Sequence, residues 1–137
     1  MSALVGPESG SETHTRLELH ALIEAGLPYE ALTRMATLLG MSVTELATGV
    51  LQIPARTLVR RRERGRLPAA ESDRLYRLAR VVAHAVDVFE DDARASAWLR
   101  SPNLALADAL PLDLLATDAG THEVVDLLGR IEYGLGV

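Results

Sequence analysis

Apolar residues recur along almost the whole chain at the three-and-four spacing of a helix face, and nowhere in convincing strand alternation. Leu32, Met35, Ala36 and Leu39 make one such set, opened by Pro28 and closed by Gly40. Ahead of it, Leu17, Leu19, Leu22 and Ile23 predict a helix that starts near Thr13 to Thr15, turns this face inward and ends at Gly26. Ser42 followed by Glu45 is a capping box for a helix over Val43 to Leu51, with Leu46, Val50 and Leu51 inward. Pro54 opens a helix over about Ala55 to Arg64, anchored by Leu58 and ended by Gly65 and Pro68. The longest pattern runs from Ala69 to Glu90, where Leu75, Leu78, Ala79, Val82, Val86 and Phe89 form a continuous seam. A short helix from Asp92 ends in Trp98-Leu99, Pro102-Asn103 breaks the chain, and another short helix starts near Pro111 with Leu114 and Leu115. Gly120 and Thr121 separate it from a last helix, with Thr121 as N-cap, Glu123 near its positive end, and Val124, Leu127, Leu128 and Ile131 inward. The predicted fold class is all-α.

The same pattern divides the chain. Residues 1–14, rich in Gly, Ser and Glu, predict a disordered tail. Residues 15–67 form a first helical region. Residues 68–137 form a second one, made of the central helix 69–90 and C-terminal helices within 92–133. Composition supports a packed core: hydrophobic residues are 48% of the chain, but aromatics only 4%, so Leu, Val and Ala must build it. Cysteine is absent, which removes disulfides and thiolate metal sites and agrees with a reducing compartment. The polar start lacks the apolar core of a secretory signal, and no apolar run approaches the ~20 residues of a membrane span. A cytoplasmic protein with no membrane partner is expected.

Charge changes the picture more than composition does. The net charge is −5, yet nine arginines against three acids between Arg56 and Arg80 leave that block at +6 and the remainder at −11. The block contains the second half of a helix-turn-helix outline: Val43 to Leu51, the break Gln52-Ile53-Pro54, then Ala55 to Arg64. The second helix would lie in a DNA major groove with Arg56, Thr57 and Arg60 toward bases or phosphates, and with Arg61, Arg62 and Arg64 on phosphates or in intramolecular pairs. An arginine fork suits both guanine edges and phosphate oxygens. A solvated face laced with Arg–Glu pairs fits the pattern as well, since Glu63 sits inside this helix and Gln52 replaces the small glycine common in such turns.

Enzymatic chemistry is not indicated. No two of His14, His20, His84 and His122 stand four apart, Asp87 with Glu90-Asp91-Asp92 reads as a solvated helix junction, and no glycine-rich phosphate loop follows a strand. No catalytic, cofactor or metal site is expected. What remains is an apolar surplus near the end of the chain. Trp98, Leu106, Leu114 and Leu115 either close the core below the long helix or mark an interface.

The residues there resemble a known family. Glu71-Ser72-Asp73-Arg74-Leu75, then Trp98-Leu99, Pro102-Asn103, Pro111-Leu112-Asp113-Leu114-Leu115, Gly120 and Arg130 to Gly134, in this order, resemble the Xre/MbcA/ParS family of type II antitoxins from about Leu38 onward. The resemblance implies an Xre-like helix-turn-helix region and a C-terminal toxin-binding domain. It implies a homodimer, a RES-domain toxin as partner that consumes NAD or transfers ADP-ribose, repression of the chain's own operator DNA, and no enzymatic role. Carried over, the toxin-binding residues are Trp98, Pro102, Asn103 and Leu106 with the terminal plug Arg130, Tyr133, Gly134, Leu135, Gly136 and Val137. Pro68 departs from the family's Ser or Thr cap before Glu71, and Ala107-Asp108 stands where glycine is frequent, which stiffens that loop. The alternative is a stand-alone regulator whose C-terminal domain only dimerises.

Overall fold

The computed structural model describes residues 12–134. Eight α-helices follow in order: α1 (Glu12–Ala25), α2 (Tyr29–Leu39), α3 (Val43–Gly49), α4 (Ala55–Arg64), α5 (Ala69–Phe89), α6 (Asp92–Leu99), α7 (Pro111–Leu114) and α8 (Asp118–Glu132), with a 3₁₀ turn at Leu104–Leu106. Among the described residues there is no strand; two isolated bridges, Pro28 with Arg66 and Asn103 with Ala109, merely staple loops. The chain is all-α.

α5 is the axis. It packs against α1, α6 and α8, while α2 rests on α3 and α6. Leu75, Leu78, Ala79 and Val82 of its seam are buried, together with Val81 and Ala85; Val86 and Phe89 are half-buried at the lower end. One apolar cluster runs from Leu27 through Leu32, Leu46, Ile53, Leu75 and Leu99 to Leu128, so both helical regions share one core. Ser72 is fully buried at the seam between them. Its hydroxyl accepts from the Leu27 N–H at 2.7 Å and donates to the Leu67 carbonyl at 3.2 Å, satisfying a buried group that would otherwise be costly. Gly26 lies in the same seam at φ +98°, and a Cβ there would sit 2.3 Å from the Leu67 carbonyl oxygen.

Three expectations need correction. α1 begins at Glu12, inside the stretch expected to be tail; residues 1–11 lie outside the described part. Its apolar face is not buried throughout. Leu17 and Leu22 are exposed, and only Leu19 and Ile23 are half-buried. α1 sits at the edge of the bundle and meets only α5 extensively, so two of its three leucines are left facing outward. The last helix starts three residues earlier than Thr121. Thr117 is the N-cap, its hydroxyl accepting from the Gly120 N–H at 3.0 Å, and Thr121 instead bonds back to the Thr117 carbonyl. Gly120 therefore sits in the first turn of α8. It is needed there by close approach, because a Cβ would fall 2.1 Å from the Leu114 carbonyl oxygen.

Candidate functional site

Two surfaces stand out, one on α3 and α4 and one beside the ends of α6 and α8. The first is built by α3 and α4. The Ser42 capping box is complete: Glu45 N–H donates to the serine hydroxyl and Ser42 N–H to the Glu45 carboxylate, each at 3.0 Å. Those bonds, the one from the Ser42 backbone foremost, hold the Glu45 carboxyl below its usual value. α3 ends at Gly49, so the connection is longer than the sequence suggests. Leu51 and Ile53 are buried within it, and the Ile53 N–H bonds to the Ala47 carbonyl at 2.9 Å. Between them Gln52 adopts φ +57°, taking the left-handed conformation that a glycine would fill more easily.

α4 then leaves the body with Leu58 buried and Arg56, Arg60 and Arg64 exposed on one stripe, Thr57 half-exposed beside them. None of those three arginines enters an ion pair among the described residues. Arg61 is different. Its guanidinium forks onto Glu71 at 2.8 and 3.0 Å, with both side chains largely buried, and that bond raises its pKa still further. This pair ties α4 to the first turn of α5, which has no side-chain cap at Pro68. Arg61 is thus removed from the set free to meet DNA. Arg66 caps the end of α1 through the Gly26 carbonyl, Arg74 holds the Leu51 carbonyl, Arg77 pairs with Asp73, and Arg80 lies over the Tyr76 ring. Much of the basic block therefore serves the fold.

The second surface is a groove of about 810 Å³ between the end of α6, the following loop and the end of α8. Trp98, Pro102 and Asn103 line it with Leu104, Ala105, Ile131 and Gly134; none of these is charged. Trp98 is half-buried and tilts against Phe89, ring centroids 5.5 Å apart. Leu106 turns the other way and packs on the core, as do Leu114 and Leu115. Arg130 and Tyr133 are exposed on the last turns of α8 but do not line the groove. Leu135, Gly136 and Val137 lie outside the described residues. Sequence reading missed Leu104, which is 85% exposed. Nothing in the local pattern sets it apart from the leucines around it; the loop geometry turns it out.

Among the described residues no three His, Asp or Glu side chains come together as a metal site. His84 pairs with Glu132 at 3.1 Å and fastens the end of α8 to α5. No helix among them is long and apolar enough to cross a membrane.

An arginine-faced helix-turn-helix joined through one core to an uncharged groove defines a two-module helical binding protein. The chain belongs to the Xre antitoxin family. Residues 18–80 match the antitoxin Xre-like helix-turn-helix domain, and residues 84–134 match the antitoxin Xre/MbcA/ParS C-terminal toxin-binding domain. The two matches meet within α5, and the first extends the likeness well upstream of Leu38. An antitoxin Xre of Photorhabdus laumondii is 32% identical over 133 residues, 96% of this chain and 86% of that protein. One of Yersinia enterocolitica is 44% identical over 91 residues, 65% of this chain and 60% of its own length. One of Pseudomonas putida is 40% identical over 86 residues, 62% of this chain and 54% of its own.

Proposed function

We propose that this chain is the antitoxin of a type II toxin–antitoxin pair. It binds and neutralises a RES-domain toxin that consumes NAD or transfers ADP-ribose, and it takes no catalytic part itself. The observation that carries this reading is the groove between Trp98 and Ile131: it is uncharged, it lies within the stretch matching a toxin-binding domain, and the two most exposed large apolar side chains among the described residues, Leu104 and Tyr133, stand on it and beside it. Trp98, Pro102 and Asn103 meet the toxin there. The segment from Arg130 through Tyr133 and Gly134 to Leu135, Gly136 and Val137 enters the toxin's active site and blocks it. Leu106 supports this surface from the core side.

The second activity is repression of the chain's own operon. A dimer presents two copies of α4, with Arg56, Thr57, Arg60 and Arg64 toward the operator and Arg61 held by Glu71. Two half-sites one turn apart require this pairing, and the toxin complex is then a higher hetero-oligomer. Cytoplasmic location follows from both partners.

The test is co-expression with the protein encoded by the adjoining reading frame. Rescue of growth and co-purification are expected. Deleting Gly134 to Val137 is expected to leave fold and dimer intact and to weaken rescue; full rescue by the truncated chain overturns the plug. Operator binding without any toxin partner is the outcome that favours a stand-alone regulator.

A further inference from the structure

We infer that Leu104 is the anchor by which the C-terminal module grips the toxin, presented ready-made by a strained loop. The inference rests on the antitoxin reading above and adds the residue and the mode of contact. No large apolar side chain among the described residues is more exposed than Leu104. Isolated surface leucines are common and need no explanation. This one differs in how it is held.

The loop after α6 closes on itself. The Asn103 N–H bonds to the Ala109 carbonyl at 3.0 Å, and the Asn103 carbonyl accepts from both Leu106 and Asp108 N–H. The Asn103 side chain accepts from Ala105 N–H at 2.9 Å. The return of the chain forces Ala107 and Asp108, two consecutive residues with a Cβ, to φ +58° and +68°. Glycine would adopt that conformation at far smaller cost. Strain of this sort persists where the surroundings fix it, and it clusters at functional positions. Here Leu106, half-buried, packs against the core on one side of the turn while Leu104 is thrust into water on the other. The leucine's backbone is thereby ordered before any partner arrives, so binding does not bear that ordering cost again.

The surroundings identify the partner. Leu104 stands on the rim of the groove floored by Trp98 and Ile131, and no cation lines that groove, so nucleic acid has nothing to hold there. Depletion of charge around an aromatic is the signature of a protein interface core. The groove is continuous with the end of α8 and lies wholly within the stretch matching a toxin-binding domain. The occupant is therefore the toxin. It must offer an apolar pocket for Leu104 and an apolar projection for the groove, and this contact is insensitive to salt.

The experiment uses the full chain, co-expressed and purified with the protein of the adjoining reading frame. Dissociation rate, thermal midpoint and oligomeric state are measured for Leu104→Ala and Ala107→Gly. Leu104→Ala is expected to speed dissociation by about tenfold or more at low and high salt alike, with the midpoint and the oligomeric state of the free chain unchanged. Ala107→Gly keeps the leucine but loosens its loop, and is expected to speed dissociation by a smaller factor. Wild-type dissociation from Leu104→Ala overturns the anchor while the antitoxin reading stands. Loss of the free oligomer with intact toxin binding also overturns it and assigns Leu104 to a contact between copies. If the wild-type chain binds no such protein, the antitoxin reading falls and the anchor falls with it.

Discussion

Arg61 shows how one side chain can leave the surface its sequence suggests. It sits among four other arginines of α4, yet its fork is committed to Glu71 behind the helix. Both partners are mostly out of water, at 17% and 11% side-chain exposure, so breaking the pair strands a charge. Glu71→Ala is expected to destabilise the fold by roughly 2–4 kcal/mol in urea unfolding, while Arg60→Ala leaves stability within about 0.5 kcal/mol. Glu45 works in the opposite regime, at the surface. Its carboxyl is held below the ordinary carboxylate value, so its contribution is complete above the unfolded pKa and disappears as pH falls through the lower folded value. Glu45→Gln is accordingly expected to flatten the acid limb of the stability curve and leave neutral stability nearly untouched. A variant whose acid limb matches the wild type would show that the cap is not held by charge.

Among the elements, α4 and α8 carry the two tests that matter most. α4 is fixed at its inner face by Leu58 and Arg61, which leaves Arg56, Arg60 and Arg64 exposed on its outer face. Replacing Arg56 and Arg60 together by Ala is expected to weaken operator binding and to make its salt dependence shallower, by about one unit of slope for each phosphate no longer neutralised. Unchanged affinity in that variant would move DNA reading off this helix. α8 begins where Thr117 caps it and Gly120 passes the Leu114 carbonyl. Gly120→Ala adds a methyl with no room in front of backbone, and a loss of roughly 1–3 kcal/mol is expected in thermal unfolding. An ordinary exposed helix position would instead gain from the same change, through propensity alone. The sign of the measured shift therefore decides whether the close approach exists.

For the whole molecule, the decisive feature is that one core serves both modules. Leu78 and Val82 sit on α5 where the two regions meet, at 3% and 0% exposure. Truncating either to Ala is expected to cost roughly 1–4 kcal/mol and to lower a single cooperative transition, not one of two. Two resolved transitions would mean that the modules unfold separately. The helices, their order and most of their ends are legible along the chain, because helical period, capping residues and the special backbone of Gly and Pro are local physics. Ser42 with Glu45, the seam from Leu75 to Val82, and the arginine stripe of α4 were all legible that way. The family likeness was legible too, through the run from Glu71-Ser72-Asp73 to the Pro111-Leu112-Asp113 turn. Only the tertiary structure decided which apolar and charged residues were spare. Leu17, Leu22 and Leu104 have the same chemistry as Leu32 and Leu99, and burial depends on what lies across from them in space. Thr117 displaced Thr121 as a cap, and Gly120, lacking a Cβ, lets the first turn of α8 lie against the Leu114 carbonyl. Arg61 was withdrawn from the DNA-facing set by an acid ten residues away, on another helix. Periodicity describes a chain against itself; which surfaces remain free for a partner is settled by contacts between elements distant along it.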